Sequence, residues 1–240
     1  MPFRNIKPLH ILWQQDLGKG MLSGVFFGIA RVLLLAKVSQ QIKLKHLGKR
    51  RQPNWLGKDG ATLTMYQSLD WHIGWARKNS KKARHLNSVV LLDSLKDNPT
   101  YETEPRYELV VVNQPLHWSD TSLRTVSGVG RKNQGAIISL ASHLHLFQPV
   151  IGESDGDKMK RRIRFWLATQ MLAMHELGHI FGLFPGTSAK DPSNQELKEA
   201  HCLNQCVMYW QEDTGLERKI WHKPFCPSCL EKLKQFFVEP

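Results

Sequence analysis

The chain reads as an α/β protein, with helices packed on a mixed sheet, then a long helix and an irregular cysteine-bearing tail. Three observations predict this. Short apolar runs of strand length alternate with longer stretches whose apolar residues recur at three and four. One such stretch carries Phe165, Trp166, Leu167, Met171, Leu172, Met174, Leu177, Ile180 and Phe181 at that spacing and stops near Gly182. Behind it fall all four cysteines, as two close pairs, Cys202 with Cys206 and Cys226 with Cys229.

Taken in order, residues 9–13 form a first strand and 17–40 a first helix. A second strand over 42–46 ends in the basic turn Gly48-Lys-Arg-Arg-Gln-Pro53, and 64–84 is a second helix. The apolar runs 89–92 and 109–112 read as buried strands, and 125–130 with 135–141 as a hairpin joined by 131–134. The basic run Lys158-Met-Lys-Arg-Arg-Ile-Arg164 opens the long helix, where cations oppose the helix dipole and so point to an acidic face nearby. A final helix closes the tail. The apolar stretch 21–38 has the length of a membrane span, but Arg31 in its middle, Gly24, Gly28 and Lys37 fit a buried amphipathic helix.

The long helix contains His175-Glu176-Leu-Gly-His179. Histidines four apart project from one helix face, so two imidazoles can take two corners of one zinc ion, with Glu176 beside the open position. A core helix that happens to carry two histidines has the same letters. The cysteine pairs have the short spacings by which a chain presents four thiolates to a tetrahedral zinc. A redox dithiol at Cys226 and Cys229, or two disulfides, are the other readings of those spacings.

From His175 to Cys229 the residues resemble the archaemetzincins, metzincin-type zinc metallopeptidases. Their pattern is His-Glu-x-x-His-x-x-Gly-x-x-His-Cys, four residues, Cys-x-Met, seventeen residues, Cys-x-x-Cys. His175, Glu176, His179, Gly182, His201-Cys202, Cys206-x-Met208 and Cys226-x-x-Cys229 match it, with seventeen residues from Tyr209 to Phe225. The resemblance implies a metzincin-like fold, with a catalytic zinc on His175, His179 and His201 and Glu176 as general base. It further implies Met208 as the Met-turn under the metal, and a second, structural zinc on Cys202, Cys206, Cys226 and Cys229. Two Zn²⁺ per chain are therefore expected. In metzincins the strand nearest the active-site helix is a sheet edge that pairs with extended substrate, a role that would fall here to 135–140. The likeness is best over 108–230 and looser before it.

Two departures stand out. Where the family places its third histidine, this chain has Pro185, and eighteen residues (183–200) separate Gly182 from His201 instead of two. The gap between Cys202 and Cys206 is three residues rather than four. Loop closure cost grows only logarithmically with length, so an excursion that returns His201 to the pair is affordable. Asp191 or His222 would otherwise complete the site.

The 240 residues, 41% hydrophobic and 22% charged, suit one catalytic metallopeptidase domain with an α/β lobe over 1–182 and a lobe over 183–240 that holds the Met-turn and cysteine site. The N-terminus lacks the layout of a signal peptide, which together with four thiols fits a cytoplasmic protein. Net charge is +12, with basic clusters at 43–51, 77–84 and 158–164 and tryptophans 55, 71 and 75 near two of them. No nucleic-acid motif accompanies the charge, so solvated faces are expected, and a peptide or protein substrate rather than nucleic acid or membrane as partner. The competing reading is an inactive zinc-binding protein whose basic surface holds nucleic acid or an acidic partner.

Overall fold

The computed structural model describes residues 5–48, 68–96, 104–119, 124–184, 201–209 and 223–238. Its main sheet has five strands: β1 (Leu9–Trp13), β2 (Leu44–Gly48), β4 (Tyr107–Val112), β7 (Gly128–Arg131) and β8 (Gly135–Ser139), in the order β2-β1-β4-β8-β7. All neighbours are parallel except β7 and β8, which form an antiparallel hairpin, so the sheet is mixed. A second sheet joins β3 (Leu86–Asn87), β5 (Leu116–His117) and β6 (Thr125–Val126).

Every residue of β4 and β8 is buried, which is what a central strand covered on both faces requires. Alternation sorts those residues between two cores. Tyr107, Leu109, Val111, Ala136 and Ile138 face α1 (Lys19–Leu35) and α4 (Asp155–Ile180). Val110, Val112 and Ile137 face α2 (Leu69–Lys78) and α3 (Ser88–Lys96). On the first face α1 and α4 pack very closely. A Cβ on Gly24 would lie 2.5 Å from the Trp166 carbonyl oxygen, and one on Gly28 2.5 Å from that of Gln170. The glycines that fitted a buried helix in the sequence are thus the contact between two helices.

The long helix starts earlier than its basic run. Ser154 caps it, its Oγ accepting from Asp157 N at 3.2 Å, and Asp155 and Asp157 occupy the first turn. Acidic groups therefore meet the positive end of the dipole, and the cations follow a turn later. At the other end of the chain α5 (Pro227–Phe236) begins at Cys226, with Pro227 at the first helical position. Leu233, Phe236 and Phe237 bury against Phe181 and Tyr107, and Asn5 Nδ2 donates to Phe236 O at 2.8 Å.

Three sequence expectations need correction. Residues 89–92 are helical, inside α3, not a strand. A short apolar run cannot distinguish the two by itself, but the buried set is Ser88, Leu91, Leu92, Ser94 and Leu95, a helical face. Asn87 Oδ1 accepts from Val90 N at 3.1 Å, an N-cap that was readable in the sequence. The segment 135–140 is not an edge: β8 lies between β4 and β7, and the edge is β7. Lastly, α1 ends at Leu35 and α2 at Lys78, both short of the expected limits. The turn 49–53, residues 64–67 and Trp55 lie outside the described residues.

Because Asn87 caps α3 and Leu91 is wholly buried beneath it, Asn87→Ala should cost about 1 kcal/mol and Leu91→Ala about 2–5 kcal/mol in urea unfolding. Equal, near-zero effects would contradict the helical register.

Candidate metal centres

The last turns of α4 carry His175, Glu176 and His179. Each histidine is fixed by a backbone carbonyl: His175 Nδ1 donates to Val207 O at 2.7 Å and His179 Nδ1 to Phe184 O at 2.6 Å. A carbonyl oxygen only accepts, so the Nδ1 atoms hold the protons and the Nε2 lone pairs are left over. Those two Nε2 atoms face each other at 3.1 Å. Two lone pairs so close repel unless a cation or proton lies between them. Four ligands at about 2.0–2.1 Å around zinc would be separated by about 3.3 Å.

His201 joins this pair. Its ring centroid lies 5.1 Å from those of His175 and His179, and the ligand atoms of all three lie within 4.8 Å of one another. Pro185, Asp191 and His222 lie outside the described residues. Desolvation, reinforced by the neighbouring imidazoles, holds His175 well below the usual histidine range; desolvation, then His201, brings His179 down to about 4. At neutral pH both are uncharged, the form a metal ligand needs.

Glu176 is buried, and its carboxylate rests on the edge strand. A Cβ on Gly128 would sit 2.4 Å from Glu176 Oε1, and one on Gly130 2.8 Å from His179 Cβ and 3.1 Å from Glu176 Oε2. Only glycines there let β7 approach the helix so closely. Among the described residues Glu176 Oε2 has no hydrogen-bond partner. Burial raises the Glu176 pKa to about 8. An unmatched buried carboxyl is expensive, and it fits a site built around a ligand rather than a sealed core.

The four cysteines form a second cluster, with all four Sγ atoms within 4.8 Å. Cys202 and Cys226 are 3.7 Å apart and Cys206 and Cys229 3.9 Å, all as free thiols rather than disulfides. Zinc–sulfur bonds of about 2.3 Å give a tetrahedral edge of about 3.8 Å, so the donor set and spacing fit that ion. A bond from Cys229 is the main cause that holds the Cys206 thiol down to about 5, while that same contact pushes Cys229 up and burial raises Cys202. Asn204 adds N–H donors to the sulfurs, N to Cys202 Sγ at 3.4 Å and Nδ2 to Cys226 Sγ at 3.5 Å.

Met208 is buried against α4, where a Cβ on Gly178 would fall 2.3 Å from its Sδ. Its carbonyl accepts from Cys202 N at 2.8 Å, and Val207 N donates to Pro224 O at 2.6 Å. Sequence reasoning named every side chain of the two clusters but not their supports. Val207 O and Phe184 O are backbone atoms and leave no trace in the letters. Gly128-Val-Gly130 did leave one: paired glycines in a strand mark a close approach.

No protein-family model matches the sequence, and no curated protein matches it either. Solved structures do. The chain is similar to the crystal structure of archaemetzincin from Methanopyrus kandleri, with a TM-score of 0.55 and 21% identity over 96% of this chain and 95% of that one. This chain has an archaemetzincin-like fold. A second archaemetzincin, from Archaeoglobus fulgidus and complexed with malonate, is similar at a TM-score of 0.47 and 14% identity, over 93% and 99% of the two chains. The archaemetzincin-like frame thus carries a histidine group and a cysteine group, each able to hold a metal.

The raised Glu176 pKa has a direct consequence for the metal-free protein. Between about 4.5 and about 8 the folded state keeps a Glu176 proton that the unfolded state has lost; the depressed His175 and His179 oppose this below about 6.5, so stability falls as pH rises from about 6.5 to about 8. Glu176→Gln should remove this slope and raise metal-free stability at pH 8 by about 2–5 kcal/mol in denaturant titrations. An unchanged slope would show that Glu176 is not buried as described.

Proposed function

We propose that this chain is a zinc-dependent peptide hydrolase in which His175, His179 and His201 hold the catalytic zinc and Glu176 is the general base. The observation that carries the reading is the convergence of neutral imidazoles beside a buried carboxyl whose Oε2 has no partner among the described residues. Zinc at such a site lowers the pKa of a bound water and polarises a carbonyl. The chain's own part is positional and acid–base. Val207 O and Phe184 O set the histidine tautomers. Glu176 takes a proton from the attacking water and returns it to the leaving amine.

The edge strand β7 gives the substrate a place. An extended peptide added to that edge would lie along the strand against which the Glu176 carboxylate rests. Cys202, Cys206, Cys226 and Cys229 would hold a second, structural zinc, with Met208 as the Met-turn. Residues 1–182 and 183–240 would form one catalytic domain, and the four thiols suit a reducing compartment such as the cytoplasm. The described helices include none long and apolar enough to cross a membrane.

A peptide-cleavage assay with zinc-loaded protein tests the reading. Glu176→Gln should keep zinc and lower kcat about 10²–10⁴-fold, because only the proton transfer is lost. His201→Ala should weaken zinc binding and activity together. Turnover unchanged in Glu176→Gln, or no hydrolysis of a broad peptide library by the zinc-loaded chain, would overturn it.

A further inference from the structure

The half of α4 remote from the histidines carries an unusual surface. The turn at 150–153, closed by Glu153 N donating to Val150 O at 3.3 Å, leaves Val150 exposed and Ile151 fully exposed. One turn into the helix Met159 is 60% exposed, and Ile163, four residues on, is 48% exposed. At 100° per residue these two form a ridge on the outward face, with Arg162 on one flank and Lys160 and Arg164 on the other. Lys160 is matched with Asp157 at 3.1 Å. Arg162 and Arg164 form no ion pair or hydrogen bond within the described residues. Two exposed aliphatic features thus lie close in a chain of net charge +12, the second flanked by Arg162 and Arg164 and preceded on its own helix face by the exposed Asp155.

We propose that this end of the molecule docks reversibly on an anionic lipid bilayer. Solvated cations alone would explain the arginines, but not four aliphatic side chains left in water beside them. Nucleic acid offers phosphates for the arginines and stacking faces for aromatics, but no hydrocarbon for Val150, Ile151, Met159 and Ile163. A bilayer interface supplies both at the depths required: acyl chains under the ridge, lipid phosphates at its flanks. No described helix is long and apolar enough to cross a membrane, but lying on a membrane is a different property from crossing one. The inference does not depend on peptide hydrolysis.

Co-sedimentation of the full zinc-loaded chain with vesicles tests it. The protein should bind vesicles of phosphatidylcholine doped with phosphatidylglycerol, bind pure phosphatidylcholine at least tenfold less, and be released by high salt. Ile151→Ser with Met159→Ser leaves the charge unchanged and should weaken binding about tenfold for each side chain removed. Arg162→Glu with Arg164→Glu should abolish the preference for anionic lipid. All four positions are exposed, so circular dichroism should show the native fold in each variant. Absence of binding to either vesicle, or undiminished binding by the serine variant, would overturn the proposal. So would tight binding of a single-stranded oligonucleotide that the glutamate variant loses and the serine variant keeps.

Discussion

The structure depends on one short piece of backbone, 201–208, that serves two clusters at once. His201 and Cys202 are adjacent in sequence, yet the first stands with the helix histidines and the second with the cysteines. A few residues on, Val207 lies between Cys206 and Met208, and its carbonyl holds the Nδ1 proton of His175. Its own N–H is tied to Pro224, two residues before Cys226. Whatever fixes the four sulfurs therefore fixes the position of His201 and the tautomer of His175. An irregular segment with no regular hydrogen-bond ladder can hold ligands accurately only if something else is rigid, and a metal held by the four cysteines would supply that rigidity.

The other wall of the site rests on the absence of side chains. The edge strand β7 approaches α4 through Gly128 and Gly130, and Met208 through the notch at Gly178. Each glycine makes room for an atom of chemical interest: Glu176 Oε1, His179 Cβ and Met208 Sδ respectively. The central strands β4 and β8 are buried along their whole length and position the hairpin that carries β7. The candidate site is thus concentrated at one sheet edge and one helix end.

Much of this was legible in the letters. Histidines four apart, with the apolar period around them, place a ligand pair on one face of a helix, and paired cysteine spacings announce a four-sulfur cluster. Period-2 and period-3.6 patterns were sufficient for the order of most elements. They failed at 88–96, where Val89-Val-Leu-Leu92 satisfies a strand and a buried helix alike and only the Asn87 cap decides. They failed again at the sheet edge, because glycine is a poor strand former and an apolar β8 looks the same inside a sheet or at its rim. The carbonyls of Val207 and Phe184 could not be found at all: every residue has one, and only the fold says which is aimed at an imidazole.

The most direct test of the account is the zinc-edge X-ray absorption spectrum of the purified, zinc-supplemented chain, read with its metal content. Two ions per chain are predicted, with a sulfur shell at about 2.3 Å and a nitrogen or oxygen shell at about 2.0–2.1 Å. His201→Ala should diminish the second shell and leave the first. One zinc per chain in a sulfur-only environment would contradict the central claim that the histidines of α4 and His201 form a metal centre.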